Sequence, residues 1–215
     1  MLPTLPRRAV MALVLCGFVL TAPQSVTASV SAKASLGALS AGRVDAQGEA
    51  DYVEALAARQ LHDEVIREAR AFLAAHAKHE AADRVRYRLA GALEAKGSAD
   101  EACAEYERLC RRDRFSFVNA ARLRFARCEL SRGEEEAARR AGALCDQVAQ
   151  EGGAELLAPA LLLGGEAWRR AKRPELAVRA LSRLVALEDL EEETRFEAAH
   201  SLAAAAYEMK DGERA

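Results

Sequence analysis

Five cysteines, four histidines and a scatter of arginines are the side chains of this 215-residue sequence that could ligate, bridge or grip. Metal binding needs Cys or His ligands at short, repeated spacing. Cys103, Cys110, Cys128 and Cys145 form no Cys-x-x-Cys pair, His76 and His79 share a turn-like segment, and His62 and His200 stand apart. Nucleophilic catalysis needs a base and an orienting acid near the nucleophile, and phosphate binding needs a glycine loop between strand and helix. Gly152-Gly153 and Gly164-Gly165 lack that context, and the second pair suits close helix packing instead. The runs Glu134-Glu135-Glu136 and Glu191-Glu192-Glu193 fall in expected first turns of helices, where carboxylates complement the helix dipole. No catalytic residue, cofactor or metal is expected, and the sequence reads as a non-enzyme.

The elements that must position these residues are helices. The chain is 51% hydrophobic and 5% aromatic. Alanine supplies much of the apolar count, which favours helix, and no strand-like alternation occurs. A net charge of −2 implies no global attraction to nucleic acid. The clusters Arg111-Arg112-Asp113-Arg114 and Arg139-Arg140 read as solvated faces without interleaved aromatics. Val85, Leu89, Ala92 and Leu93 fall at helical spacing. Lys96-Gly97 ends that helix, since glycine accepts the left-handed backbone of a C-terminal cap. Ser98-Ala99-Asp100-Glu101 reads as a capping box opening the next helix, which continues through Ala102, Tyr106 and Leu109. Ala90 and Ala102 would sit where the two helices approach most closely. One such hairpin cannot bury its own apolar face, so copies must stack.

The same register returns along the chain. A unit from Asp83 holds Leu89, Ala90, Leu93, Gly97, Ala102, Tyr106 and Leu109. A unit from Asn119 places Phe125, Ala126, Gly133, Ala138 and Cys145 at matching positions. One from Ala158 gives Gly165, Trp168, Ala177, Leu181 and Leu184, with Pro174 in the first turn of its second helix, where the missing N–H costs nothing. One from Phe196 gives Leu202, Ala203 and Lys210, with Ala215 where its second helix would begin. A unit from Ala46 gives Val53, Leu56, Val65, Ala69 and Phe72. The competing reading is a non-repetitive helical bundle in an alanine-rich chain.

This beat resembles the tetratricopeptide repeat. The resemblance implies an all-α, right-handed superhelical stack of helix–turn–helix units over residues 49–215, the last unit incomplete. It implies a scaffold that binds proteins or peptides and does no chemistry. The segment from Phe72 to Glu80 resembles the inter-repeat turn of periplasmic repeat proteins, including the Tol–Pal coordinator and the outer-membrane assembly lipoprotein, with Ala77 where those carry proline.

Residues 1–28 read as an export signal: basic Arg7-Arg8, apolar Ala9 to Leu20, and small-residue cleavage sites at Val26-Thr27-Ala28 or Val30-Ser31-Ala32. The apolar run is too short to span a bilayer, which needs about 20 residues. Residues 29–48, rich in Ser, Ala and Gly, read as a flexible spacer. A periplasmic or otherwise exported location follows, with membrane attachment only if Cys16 is lipidated. Bulky Leu15 before Cys16 argues instead for a cysteine within the signal. Two alternative functions stay open: the N-terminal repeat region of a larger enzyme, and an envelope-assembly lipoprotein.

Two site expectations close the reading. Cys103 lies near the top of a second helix and Cys128 near the top of the next first helix. Antiparallel neighbours bring those levels together, so the pair can form a disulfide in an oxidising compartment. Alternatively, all four cysteines are small buried residues. The family resemblance also implies that first-helix positions line a binding groove. Here those positions include Arg84, Tyr87, Arg88, Arg124, Arg127, Arg169 and Arg170. Arginine grips carboxylates with a bidentate fork, so the expected ligand is an acidic protein or peptide segment. The alternative is that Glu94, Glu166 and other local acids neutralise these arginines. The family's carboxylate clamp also uses asparagines, and here only Asn119 lies nearby, which argues against that specific clamp.

Overall fold

A computed structural model describes residues 45–112 and 116–212, the last two by backbone alone. The export segment, Cys16, most of the spacer, Asp113 and Ala215 lie outside the described residues. Among the described residues there are nine helices and no strand. They are α1 Ala46–Ala58, α2 His62–Ala75, α3 Ala82–Ala95, α4 Ala99–Cys110, α5 Val118–Ser131, α6 Glu135–Glu151, α7 Ala154–Arg170, α8 Pro174–Val185 and α9 Glu192–Gly212. Each helix packs on its neighbours in sequence, so α1–α2, α3–α4, α5–α6 and α7–α8 are hairpins. First helices of successive hairpins also meet, as α1 with α3, α5 with α7, and α7 with α9. The result is an all-α stack of hairpins.

The hairpin turns show why the register recurs. Gln60, Gly97, Gly133 and Lys172 occupy equivalent positions, and all four have positive φ, at 58°, 80°, 76° and 54°. Three turns close with the bond typical of a left-handed helix cap. These run from the N–H of Leu61 to the Leu56 carbonyl, from Ser98 to Leu93, and from Arg173 to Trp168, at 3.1, 2.9 and 2.9 Å. Glycine adopts this backbone freely, whereas Gln60 and Lys172 carry its conformational cost. In α9 the equivalent residue, Lys210, lies within the helix.

The apolar faces then form three core clusters along the stack. Val53, Phe72, Leu89, Tyr106 and Leu109 form one core between the first two hairpins. Ala126, Leu130, Ala141, Cys145 and Ala167 fill the next layer. Leu161, Leu181, Leu184, Ala198 and Ala205 fill the last. Small residues dominate because the helices lie close. A Cβ on Gly165 would fall 2.5 Å from Leu181, and one on Gly164 would fall 3.1 Å from Cys145. That pair therefore serves packing, as expected.

Three local expectations change. The capping box at Ser98 and Glu101 is not formed, because Ser98 makes no side-chain cap. Glu101 instead accepts from Arg70 on α2 at 2.5 Å, tying two hairpins together. The spacer does not extend to residue 48: Asp45 accepts from the Gly48 N–H at 2.8 Å and caps α1, so residues 46–48 are helical. The helix expected from Ala158 begins at Ala154, behind an extended Gly153, and runs through Pro159. The added turn lets Leu156 and Leu157 pack against the last core layer. Pro174 does stand in the first turn of α8.

His76 and His79 are half-buried beside Phe72, with ring centroids 5.2 and 5.9 Å from it. His79 Nδ1 accepts from the Ala81 N–H at 3.2 Å. No group of His, Cys, Asp and Glu placed to hold a metal occurs among the described residues.

Candidate functional site

Helices α1, α3, α5, α7 and α9 are the first helices of their units, and the groove residues lie on three of them. Arg84, Tyr87 and Arg88 stand on α3, Arg124 and Arg127 on α5, and Arg169 and Arg170 on α7. Most of these arginines already hold a carboxylate. Arg84 Nη2 is 3.0 Å from Asp51, and Arg88 Nε donates to Glu54 at 2.7 Å. Arg124 donates to Glu94 at 3.1 Å, and Arg169 Nη2 to Glu208 at 2.6 Å. Arg170 donates to Glu166 at 2.5 Å and to the Leu130 carbonyl at 3.2 Å. Arg127 is exposed and makes no ion pair among the described residues. The basic field expected of the seven residues is thus largely cancelled within the chain. The carboxylates come chiefly from the neighbouring unit, so the pairs form rungs between successive first helices. Such exposed pairs contribute little each, about 0–1 kcal/mol. Asn119 is engaged too, accepting from Arg122 at 2.9 Å.

The structure brings Tyr87, Arg88 and Arg124 to one depression of about 460 Å³. It does not bring Arg84, Arg127, Arg169 or Arg170 into that lining. The α3–α5 pair is the exception to close packing between first helices, and the depression opens there. Small residues line part of it, Ala57, Gly91, Ala92 and Ala95, with His62 and Val65 of α2 beside them. Its aromatic wall is Tyr87, stacked on Phe117 at 5.5 Å and edge-on to Tyr106 at 6.0 Å. The Arg88 guanidinium lies 5.9 Å from the centre of the Tyr87 ring, within cation–π reach. Tyr106 donates its hydroxyl proton to Glu94 at 3.0 Å. Burial, with the Glu94 charge beside it, pushes that phenol well above its ordinary range, so it remains a donor. Glu94 is therefore held from two sides, by Tyr106 and Arg124. This arrangement suits binding: an open depression in which small apolar side chains lie beside aromatic and charged groups.

Gly91 could not be recognised as a site residue from the sequence. A Cβ there meets nothing nearer than the Tyr106 hydroxyl at 3.9 Å. No packing demands this mid-helix glycine, which costs roughly 1 kcal/mol relative to alanine. Gly91→Ala is expected to stabilise the fold by about 0.5–1 kcal/mol. Gly165→Ala, placed against buried Leu181, is expected to destabilise it by about 1–3 kcal/mol. Urea denaturation of the two variants checks both signs.

The cysteines are also placed. Cys103 on α4 and Cys128 on α5 are joined as a disulfide, with Cα atoms 5.7 Å apart. Cys110 and Cys145 are free. Burial pushes their thiols up, to about 11 and about 12, so neither is poised as a nucleophile.

Comparison with solved structures gives the architecture its relatives. Two crystal structures of the TPR-like repeats of a kinesin light chain-like protein from Podosopora anserina superpose with TM-scores of 0.56 and 0.55. Each is 18% identical, over 78% of this chain and 88% of that one. The fold is TPR-like. No protein-family model matches the chain, and no curated protein matches it. The likeness reaches the tetratricopeptide-type stack expected from the register. No helix among the described residues is long and apolar enough to cross a membrane.

Proposed function

We propose that this chain is an exported protein-interaction scaffold whose first-helix face binds a segment of another protein. The depression over Gly91 carries the reading, because it is a preformed hollow on the groove side, lined by both apolar and charged residues, that no side chain among the described residues fills. Tyr87, Arg88 and the Glu94–Tyr106–Arg124 group would hold an apolar side chain of the ligand. Arg127 follows Arg124 by one helical turn on the same face. Its unpaired charge would take an acidic residue beside that anchor. The preference for acidic segments thus rests chiefly on Arg127 rather than on a wholly basic groove. Export is supported by Arg7-Arg8, the apolar run from Ala9 to Leu20 and the small residues before Ala28, and by a cysteine pair suited to an oxidising compartment. Work at the cell envelope, like that of the periplasmic repeat proteins, belongs to the same proposal.

Selection of displayed random peptides on the mature chain tests the binding face. Expected winners carry one large apolar residue next to Asp or Glu. Gly91→Leu should block the pocket and abolish their binding while the helical signal stays intact. Arg127→Glu should weaken acidic peptides at least tenfold. Peptides that bind both variants as tightly as the parent would exclude this site.

A further inference from the structure

Trp168 is the one tryptophan of the sequence, and the fold sets it beside an arginine cluster on the second-helix side of the stack. The second helices α6 and α8 stay apart there, and a hollow of about 460 Å³ opens between them. It is lined by Arg139, Arg140 and Ala143 of α6, Trp168 of α7, and Arg173 and Leu176 around the start of α8. Glu136 also lines it, held by Arg139 at 3.2 Å. The indole rests on Gly142, where a Cβ would fall 2.6 Å from its Cε2 atom. Its Nε1 is covered and has no hydrogen-bond partner among the described residues, and the same holds for Arg139 Nε. Buried donors without an acceptor are rare and costly. The neighbouring arginines have donors to spare. Among the described residues Arg140 gives only its Nε, to Glu129, and Arg173 comes no nearer than 3.8 Å to Glu175. Counting Arg132 and Lys172, which share the same acids, five cations face four carboxylates. The preceding junction carries Cys103, Ala104 and Glu129 at the register positions of Arg139, Arg140 and Trp168. The cluster is therefore particular to this junction and not a feature of the repeat.

We propose that this hollow binds a carboxylate carried on a short apolar group. The carboxylate supplies what the cluster lacks. It brings a negative charge against the surplus cation. It also brings acceptor lone pairs for Trp168 Nε1, Arg139 Nε and the spare N–H groups of Arg140 and Arg173. A guanidinium fork matches the two oxygens of a carboxylate. Arg140 and Arg173 are exposed, so both can turn to admit the ligand. Leu176, Ala143 and the indole give the attached apolar group a surface to cover. A bare phosphate would bring no apolar part for Leu176 and would set a second negative charge beside Glu136. The hollow, at about 460 Å³, lies within the usual size of small-molecule sites. A free organic acid carries such a group, and so does the C-terminus of a peptide ending in an apolar residue. The site lies on the second-helix side and does not rest on the binding proposed for the first-helix face.

Trp168 reports on the site directly, since no other indole contributes. Fluorescence of the mature chain, excited where tyrosine does not absorb, is titrated with hexanoate and with N-acetyl-leucine, and calorimetry repeats both titrations. The expected result is saturable binding with a dissociation constant on the order of 1 mM or below. N-acetyl-leucine amide, which lacks the charge, should bind about tenfold more weakly or worse. Tighter binding of hexanoate would assign the site to free acids, and tighter binding of N-acetyl-leucine to a peptide's C-terminus. Arg173→Glu and, separately, Ala143→Glu set a competing carboxylate at the hollow from exposed positions. Each should weaken binding about tenfold or more with unchanged circular dichroism. Trp168→Phe, followed by calorimetry, keeps a ring on Gly142 without the N–H and should weaken binding about threefold or more. Absence of saturable binding by both acids overturns the proposal. So does equal binding of the amide, indifference to both glutamate substitutions, or a Trp168→Phe chain that binds as tightly as the parent.

Discussion

A chain with Arg132 and Arg140 both replaced by alanine is expected to lose about 3–5 kcal/mol of stability. The reason is Glu129, which lies on α5 and is almost wholly buried. Its two carboxylate oxygens are met by Arg132 and by Arg140 of α6. Taking a carboxylate out of water is tolerable only while such donors compensate it. Removing both arginines leaves a buried charge with no partner. The reverse deletion is expected to behave quite differently. The arginine side chains are 49% and 47% accessible, so after Glu129→Leu both can turn to water. The new leucine would occupy the register position that Leu56 and Leu93 fill in earlier units. Glu129→Leu should therefore lie within about 1 kcal/mol of the parent, since well-packed apolar replacements of buried ion pairs are often neutral or stabilising. Urea unfolding of both variants decides it. Equal losses in the two would contradict the account, because that account rests on the difference in burial between the partners.

Opening the Cys103–Cys128 bond is expected to cost about 3 kcal/mol, from the loss of a constraint on the unfolded chain across 25 residues. The bond ties α4 of the second hairpin to α5 of the third, at the junction where the depression opens. Cys103→Ala with Cys128→Ala should melt at a lower temperature than the oxidised parent, and reducing agent should bring the parent close to the variant. The variant itself should be nearly indifferent to reductant. Cys103 is buried, so a small part of the loss will reflect its own packing. Thiol counting on denatured mature protein made in the periplasm supplies the independent check. Two reactive thiols, those of Cys110 and Cys145, are expected, and four would refute the bond.

The sequence by itself determined the repeating hairpin. The period is carried by local chemistry: apolar residues at helical spacing, a left-handed residue at each turn, and small residues where helices meet. Gly97 and Gly133 announce their turns because glycine adopts positive φ without cost. Gln60 and Lys172 take the same backbone with no such signal, because the stacked helices on either side impose it. The antiparallel placement that brings Cys103 to Cys128 followed from the same local pattern, since neighbouring hairpins fix which helix ends share a level.

Tertiary structure decided the charges. Arg84, Arg88, Arg124 and Arg169 look like a basic face when read by position. Their carboxylate partners stand 30 to 39 residues away, on adjoining first helices. Only the stacking geometry says whether those carboxylates come within reach. Glu101 left its capping role for Arg70 for the same reason: a cross-hairpin partner was nearer than its own helix terminus needed. Glu129 could be noticed as an acid at an apolar position, but its burial depends on α6 supplying Arg140. Gly91 is legible as a helix glycine, yet the hollow above it is bounded by residues of α1, α2, α4 and α5 that only the stack brings together. Local backbone preference acts within a turn or two of the chain, and so is written in the sequence. Desolvation, ion pairing and empty volume depend on what the rest of the stack brings alongside.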